Sequence, residues 1–339
     1  MAESERDDPL HTPLTAHTGI EVPLICGPMY PCSNPELVAA ASAAGGIGVV
    51  QPLSLVHVHG REFRAGLREI RELTDRPIGM NVIVEATVKA YQERMQRYLE
   101  IALEEGVRFF VTSLGKPDWV VQMAHASGGI VYHDVTRRKW AQKAVDVGVD
   151  GLIAVNRRAG GHAGEADAEV LYEELHDLGV PVVCAGGISD GPGFARALAI
   201  GYAGVQMGTR FIATEECTAH GDYKQAVVTS GPDDIVLSER LTGVPLAVIE
   251  TPYIRRVGTK AGPIARWMLK GHKTKHWMRA IYALRSMASL KRASLRPATS
   301  KDVWQAGKSV EHIHAVEPCA AIVARCAEAA RHHAGAPAA

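Results

Sequence analysis

No stretch of this 339-residue chain approaches the ~20 consecutive apolar residues that a membrane helix needs. Its start carries Glu3, Glu5, Asp7 and Asp8 where a secretory signal would be basic. Both absences point to a cytoplasmic protein with no membrane partner. The six cysteines, Cys26, Cys32, Cys184, Cys217, Cys319 and Cys326, include no Cys-x-x-Cys pair. Neither a metal site nor a disulfide framework is indicated, and reduced core thiols are expected. Excess charge is missing too. Lys and Arg total 37 and Asp and Glu total 37, so the overall balance is not that of a nucleic-acid binder.

What the chain has instead is apolar residues in a regular rhythm. They make up 47% of it, enough for one large α/β domain with an appended part. Apolar runs read as strands at Leu24–Cys26, Ile47–Val50, Ile78–Val84, Phe109–Thr112, Ile130–His133, Leu152–Val155, Val182–Ala185 and Gly204–Met207. Helical spacing lies between them, as in Leu37, Ala40, Ala41 and Ala44. Gly46, Gly106, Gly129, Gly148, Gly179 and Gly201 stand just before a strand, where a helix ends in the left-handed conformation. Asp75-Arg76-Pro77 stops the remaining helix with proline. Repeated strand–helix units predict a closed (β/α)8 TIM barrel rather than an open doubly wound sheet. The expected division is a loose arm over 1–17, in which Pro9 and Pro13 break any helix, then the barrel over 18–224. A second, smaller C-terminal domain follows over 225–305, where Ile235 to Val257 alternates as short strands would, and 306–339 forms a helix returning to the barrel.

Such barrels place their chemistry at the C-terminal ends of the strands, with phosphate sites most often after the seventh and eighth. Gly186-Gly187 and Gly208-Thr209 fall there, where glycine lets backbone approach a ligand and offers N–H groups to a phosphate. The sixth strand leads into Arg158-Ala159-Gly160-Gly161-His162-Ala163-Gly164, small residues around one imidazole. His162 can take a proton from a small substrate or orient it, the plainer alternative being a loop hydrogen bond. Pro28, Met29, Asn81, Ser113 and His133 fall at the same mouth. Each has a plainer use: Asn81 as a helix cap, Met29 as packing, Gln206 as a core amide, His133 as a structural histidine paired with Asp134.

Five segments, Gly27-Pro28-Met29, Met80-Asn81-Val82, Ala159 to Gly164, Ala185-Gly186-Gly187-Ile188 and Gly204 to Phe211, together resemble the nitronate monooxygenase (2-nitropropane dioxygenase-like) family of flavin barrels. The likeness covers most of 20–224 and, more loosely, Leu241 to Pro252 and Ala306-Gly307. It implies bound FMN, with the phosphate on Gly186, Gly187, Gly208 and Thr209. Asn81 and Gln206 would meet its polar groups, Pro28 and Met29 would lie along the ring, and His133, Gly161, Ala185 and Met207 would complete the pocket. It implies His162 as the catalytic residue and the oxidation of an anionic alkyl nitronate, or a nitroalkane, with dioxygen. Tyr30-Pro31-Cys32 departs from the small residues of many relatives and predicts a mouth that is narrower or shaped for another substrate. The same barrel serves NAD(P)H-dependent FMN reductases of quinones and enoyl thioesters, the alternative expectation. A non-catalytic anion- or nucleic-acid-binding protein is the remote one, and a homodimer is left open.

One stretch belongs to none of this. Arg255 to Arg296 holds twelve Lys or Arg and no Asp or Glu, with Trp277, Ile281, Leu284 and Ala288 spaced for one helix face. It reads either as a solvated surface or as a field drawing an anionic substrate to the mouth.

Overall fold

A computed structural model of the chain describes residues 8–85, 89–240, 243–260, 288–299 and 302–335. Most of the basic stretch, with Trp277, Ile281 and Leu284, lies outside the described residues. After α1 (Pro13–Thr18) come eight strands: β1 (Leu24–Cys26), β2 (Ile47–Val50), β3 (Ile78–Val84), β4 (Phe109–Leu114), β5 (Ile130–Val135), β6 (Gly151–Val155), β7 (Val182–Ala185) and β8 (Gly204–Met207). Helices α2 (Pro35–Ala43), α3 (Phe63–Leu73), α4 (Lys89–Glu104), α5 (Asp118–His125), α6 (Arg138–Val145), α7 (Ala168–Leu175) and α8 (Gly191–Ile200) fill the seven connections. The strands pair in parallel in chain order, and β8 closes on β1 with Ile25 opposite Gln206. The chain is a (β/α)8 barrel.

Strands buried on both faces explain the continuous apolar runs. One side chain in two points inward, where Ile25, Ile47, Val49, Phe109, Val111, Tyr132, Ile153 and Val183 form the barrel's inner layer. The intervening residues, Met80, Phe110, Val131, Leu152, Cys184 and Val205 among them, pack outward against the helices. Each such side chain contributes about 1.5–3 kcal/mol when fully buried. All six cysteines are buried.

Two local expectations fail for identifiable reasons. Pro13 does not break a helix but begins one: at the first helical position its missing N–H would have had no partner in any case. Thr12 and Thr15 cap that helix reciprocally, and Thr12 Oγ1 donates to Ala203 O at 2.7 Å. Leu14 is thereby driven into the inner layer, and α1 plugs the barrel at the end away from the site. Gly46 and Gly129 are not the left-handed residues at their turns. Gly45 (φ 99°) and Gly128 (φ 69°) are, whereas Gly46 is required by space, since a Cβ there would lie 2.8 Å from Leu24 O.

Beyond β8 the chain makes an antiparallel pair, β9 (Ile235–Ser238) with β10 (Leu246–Ile249). The pair is tied to the barrel's loops, Ala247 N donating to Gly161 O at 2.8 Å and Ile249 N to Trp304 O at 2.9 Å. A last helix, Cys319–Ala334, returns to pack on α8 and α2. Arg210, 1% exposed, fastens the segment before it: Nη2 donates to Ala213 O (2.6 Å) and Ala315 O (2.7 Å), and Nη1 to Glu317 (3.3 Å).

Candidate functional site

The C-terminal ends of the strands surround a cleft of about 1340 Å³. Its wall includes Pro28 and Met29 after β1, His133 on β5, Gly161 and His162 after β6, and Ala185, Gly186 and Gly187 at the end of β7. Gln206, Met207, Gly208 and Thr209 belong to it on the β8 side. Asn81 does not. It lies buried in β3 and its Nδ2 donates to Val111 O at 3.0 Å, so the amide is used in joining strands below the mouth.

At one end the backbone forms a cradle. Gly186 has φ 116° and Gly187 φ 78°, and a Cβ on Gly186 would lie 2.5 Å from Asn156 Oδ1 and 2.7 Å from Ala159 N. Asn156 holds this turn: its Nδ2 donates to Gly186 O (2.9 Å) and its Oδ1 accepts from Arg158 N (2.8 Å). The chain returns here a second time. Gly307 N donates to Thr209 Oγ1 at 2.9 Å and Lys308 N to Arg158 O at 2.9 Å, while a Cβ on Gly307 would meet Gly160 N at 2.5 Å. Ser309 joins the lining, its carbonyl accepting from Ser189 Oγ at 2.6 Å. Thr209 still has its hydroxyl proton to donate. The sequence pointed to the glycines. It gave no sign of Asn156 as their support, because an asparagine after a strand looks like any turn residue.

On the floor, Gln206 Oε1 is buried and has no protein partner among the described residues. A buried amide acceptor without a donor is costly, on the order of 1–3 kcal/mol, and is what a ligand N–H would relieve. Gly27 makes room for it, since a Cβ there would come within 2.9 Å of Gln206 Cγ. A flavin offers a ring N–H for such an acceptor and a phosphate for the cradle, so the residues present fit that group.

His162 stands over the mouth on an exposed loop, Gly161 before it at φ 70°. Its Nδ1 lies 3.0 Å from Pro245 O, and a carbonyl can only accept, so the proton of the neutral ring sits on Nδ1. Nε2 keeps its lone pair and, among the described residues, has no protein partner. The hairpin thus fixes the tautomer that serves as a base.

His133 and Asp134 do not form the expected pair. Successive strand residues point to opposite faces. Tyr132 belongs to the inner layer, so Asp134 points inward, toward the mouth, and His133, although the cleft reaches it, turns its imidazole to the helix side, where its Nδ1 lies 2.8 Å from Thr112 Oγ1. Thr112 gives its own proton to Tyr132 O, so it accepts from His133. Asp134 Oδ1 is buried and unbonded. Burial pushes its carboxyl up to about 7, and burial pulls the His133 imidazole down to about 4.

The two shifts act oppositely on stability. Above pH 3.8 folded Asp134 keeps a proton that the unfolded chain has released, so its contribution is lost as pH rises toward 7. Folded His133 stays neutral below pH 6.5 where the unfolded chain is charged, so its contribution is present above 6.5 and lost as pH falls toward 4. Relative to the parent, Asp134→Asn is expected to make the urea midpoint climb more steeply from about pH 4.5 to about pH 6.5, and His133→Asn to flatten or reverse that climb. Three parallel curves would remove both groups from the buried set.

A cradle suited to a cofactor phosphate, an amide acceptor without a donor and a base share one barrel mouth, as they do in flavin-dependent oxidoreductases. Residues 11–328 match the family described as nitronate monooxygenase, and the chain belongs to it. A relative from Mycobacterium tuberculosis, (3aS,4S,5R,7aS)-5-hydroxy-7a-methyl-1-oxo-octahydro-1H-indene-4-carboxyl-CoA dehydrogenase, is 31% identical over 73% of this chain and 68% of its own. A nitronate monooxygenase from Pseudomonas aeruginosa is 30% identical over 62% of this chain and 71% of its own. Among solved structures, FabK from Thermotoga maritima superposes with a TM-score of 0.78 at 27% identity, covering 95% of this chain and 96% of that one.

Proposed function

We propose that the cleft holds FMN, its phosphate in the cradle of Gly186, Gly187, Gly208 and Thr209, and that the chain oxidises or reduces the bond beside the carbonyl of an acyl thioester. The observation that carries this reading is the extent of the cleft. Pockets for one drug-sized ligand run to roughly 300–1,000 Å³. At about 1340 Å³ this one also takes in Trp140 and Lys143 on α6, more room than a flavin and a small nitronate need. The name of the Mycobacterium relative, a carboxyl-CoA dehydrogenase, supports the same substrate class.

In the oxidising direction His162 Nε2 takes the proton from the carbon next to the thioester carbonyl, which that carbonyl acidifies, and the C–H electron pair becomes the new double bond. Pro245 O stabilises the resulting imidazolium through Nδ1–H. A flavin held there supplies the acceptor for the hydride that leaves the β carbon. In the reducing direction the protonated ring returns the proton to the same carbon.

Oxidation of an alkyl nitronate with dioxygen is the second reading, favoured by the family match and by the Pseudomonas relative. Both need a base beside an electron-poor carbon, so the imidazole does not separate them. Anaerobic mixing of the holoenzyme with a saturated acyl-CoA, with propionate 3-nitronate and with NADPH does. Bleaching of the flavin by the acyl-CoA, or bleaching by NADPH that an enoyl-CoA reverses, is the expected result. Bleaching by the nitronate alone would replace the thioester reading with the second.

A further inference from the structure

The part of the cleft bordered by α6 has a chemistry of its own. Trp140 is 46% exposed, with Lys139 Nζ 5.4 Å and Lys143 Nζ 5.0 Å from the ring centroid. Neither lysine has a carboxylate within ion-pair distance among the described residues. Their basic neighbours do: Arg137 pairs with Glu165 (3.2 Å), Arg138 with Asp177 (2.5 Å) and Lys116 with Asp118 (3.3 Å). The unspent cations of this lip are therefore the two that flank an exposed indole. Asp146 also lines this end, its Oδ1 accepting from Gln142 Nε2 at 2.9 Å, which leaves two ammonium groups against one carboxylate.

The loop after β4, which also lines the cleft, is built at a backbone cost. Leu114, 58% exposed, is the one non-glycine residue with a positive φ (62°) among those described. A leucine in that conformation costs on the order of 1–3 kcal/mol and is kept where the surroundings dictate it. Gly115 follows because a Cβ there would lie 2.5 Å from Val84 O. Two large exposed apolar side chains, Trp140 and Leu114, thus belong to the lining of this one cleft, where exposed apolar surface marks contact with a ligand.

We propose that this lip binds phosphorylated adenosine, the base on the face of Trp140 and the phosphates on Lys139 and Lys143. Exposed cation–π contacts are worth only about 0.5–1 kcal/mol, so a phosphate draws a lysine off the ring at small cost and frees a face for the purine. Flexible ammonium groups suit phosphates as point charges. For its source the proposal rests on the acyl thioester reading: in coenzyme A a long arm separates the adenosine 3′-phosphate from the sulfur, which places the nucleotide at a rim and not beside His162. A nicotinamide dinucleotide phosphate presents the same chemistry.

Adenosine 3′,5′-bisphosphate is the probe, because it binds without turnover. Titrated into the holoenzyme it should bind saturably and quench indole emission, and Trp140→Phe should abolish most of the quench. Lys139→Gln/Lys143→Gln should weaken binding about tenfold or more, as loss of charge-assisted contacts does. The same double variant should raise KM for an acyl-CoA, but not for the matching N-acetylcysteamine thioester, which has no nucleotide. Displacement by coenzyme A assigns the site to the thioester carrier, and displacement by NADP+ with coenzyme A inert assigns it to the nicotinamide carrier. A probe that does not bind, or that binds parent and double variant alike, overturns the proposal whether or not acyl-CoA bleaches the flavin.

Discussion

His162→Asn is expected to keep its flavin and lose at least about a hundredfold in kcat, the usual contribution of a positioned general base. Asparagine can still donate an amide N–H to Pro245 O, so the loop and the hairpin stay joined. What disappears is the lone pair on Nε2. The loss should be large wherever a C–H bond must be broken, in a saturated acyl thioester or a neutral nitroalkane, and small for a preformed nitronate, which has no such proton to surrender. Rates measured on all three substrates separate a base from an orienting group. Parent-like rates throughout would leave His162 a loop residue.

Gly186→Ala is expected to yield a folded barrel that does not retain FMN. Its φ of 116° lies where a side chain costs about 1–3 kcal/mol in the backbone alone. The new methyl group would also sit 2.5 Å from Asn156 Oδ1, the atom that holds Arg158 N, so relief of the clash opens the turn from within. Gly161→Ala is the control: φ is 70°, but nothing lies within 4 Å of the added atom. Flavin-to-protein ratio after gel filtration, with far-UV circular dichroism for the fold, reads both variants. A yellow Gly186→Ala protein with full occupancy would mean that the cradle does not hold the phosphate.

The barrel was legible because parallel strands covered on both sides must be apolar throughout, and runs such as Val182-Val183-Cys184-Ala185 have no other use. Its site was legible where glycine was needed for space and for φ, at Gly186 and Gly187. Legibility ended where the same residue type has two uses that depend on position. Proline stops a helix inside it and starts one at its first residue, which is why Pro13 misled. In a glycine pair either member can take the turn, hence Gly45 for Gly46. Asn81 has the amide of a ligand contact, but it sits in a layer below the mouth. His133 and Asp134, adjacent in sequence, are separated by the strand itself. Nothing local to Trp140 distinguishes a rim residue from a core one, since its helical spacing with Ala144 is that of any covered face.

The cradle has a consequence for the order in which the protein is made. The eight strands and the seven helices between them are complete by Met207, so a nascent chain can close its sheet, and pack its inner layer around Leu14, before the last helix, Cys319–Ala334, exists to cover α8 and α2. The cradle is not complete at that stage, because Gly307 and Lys308 have yet to bond to Thr209 and Arg158. Closure of the sheet and completion of the cradle are therefore separate events in time, the second waiting on about a hundred further residues of translation. A ribosome stalled between them would carry a closed sheet whose cradle still lacked its last wall.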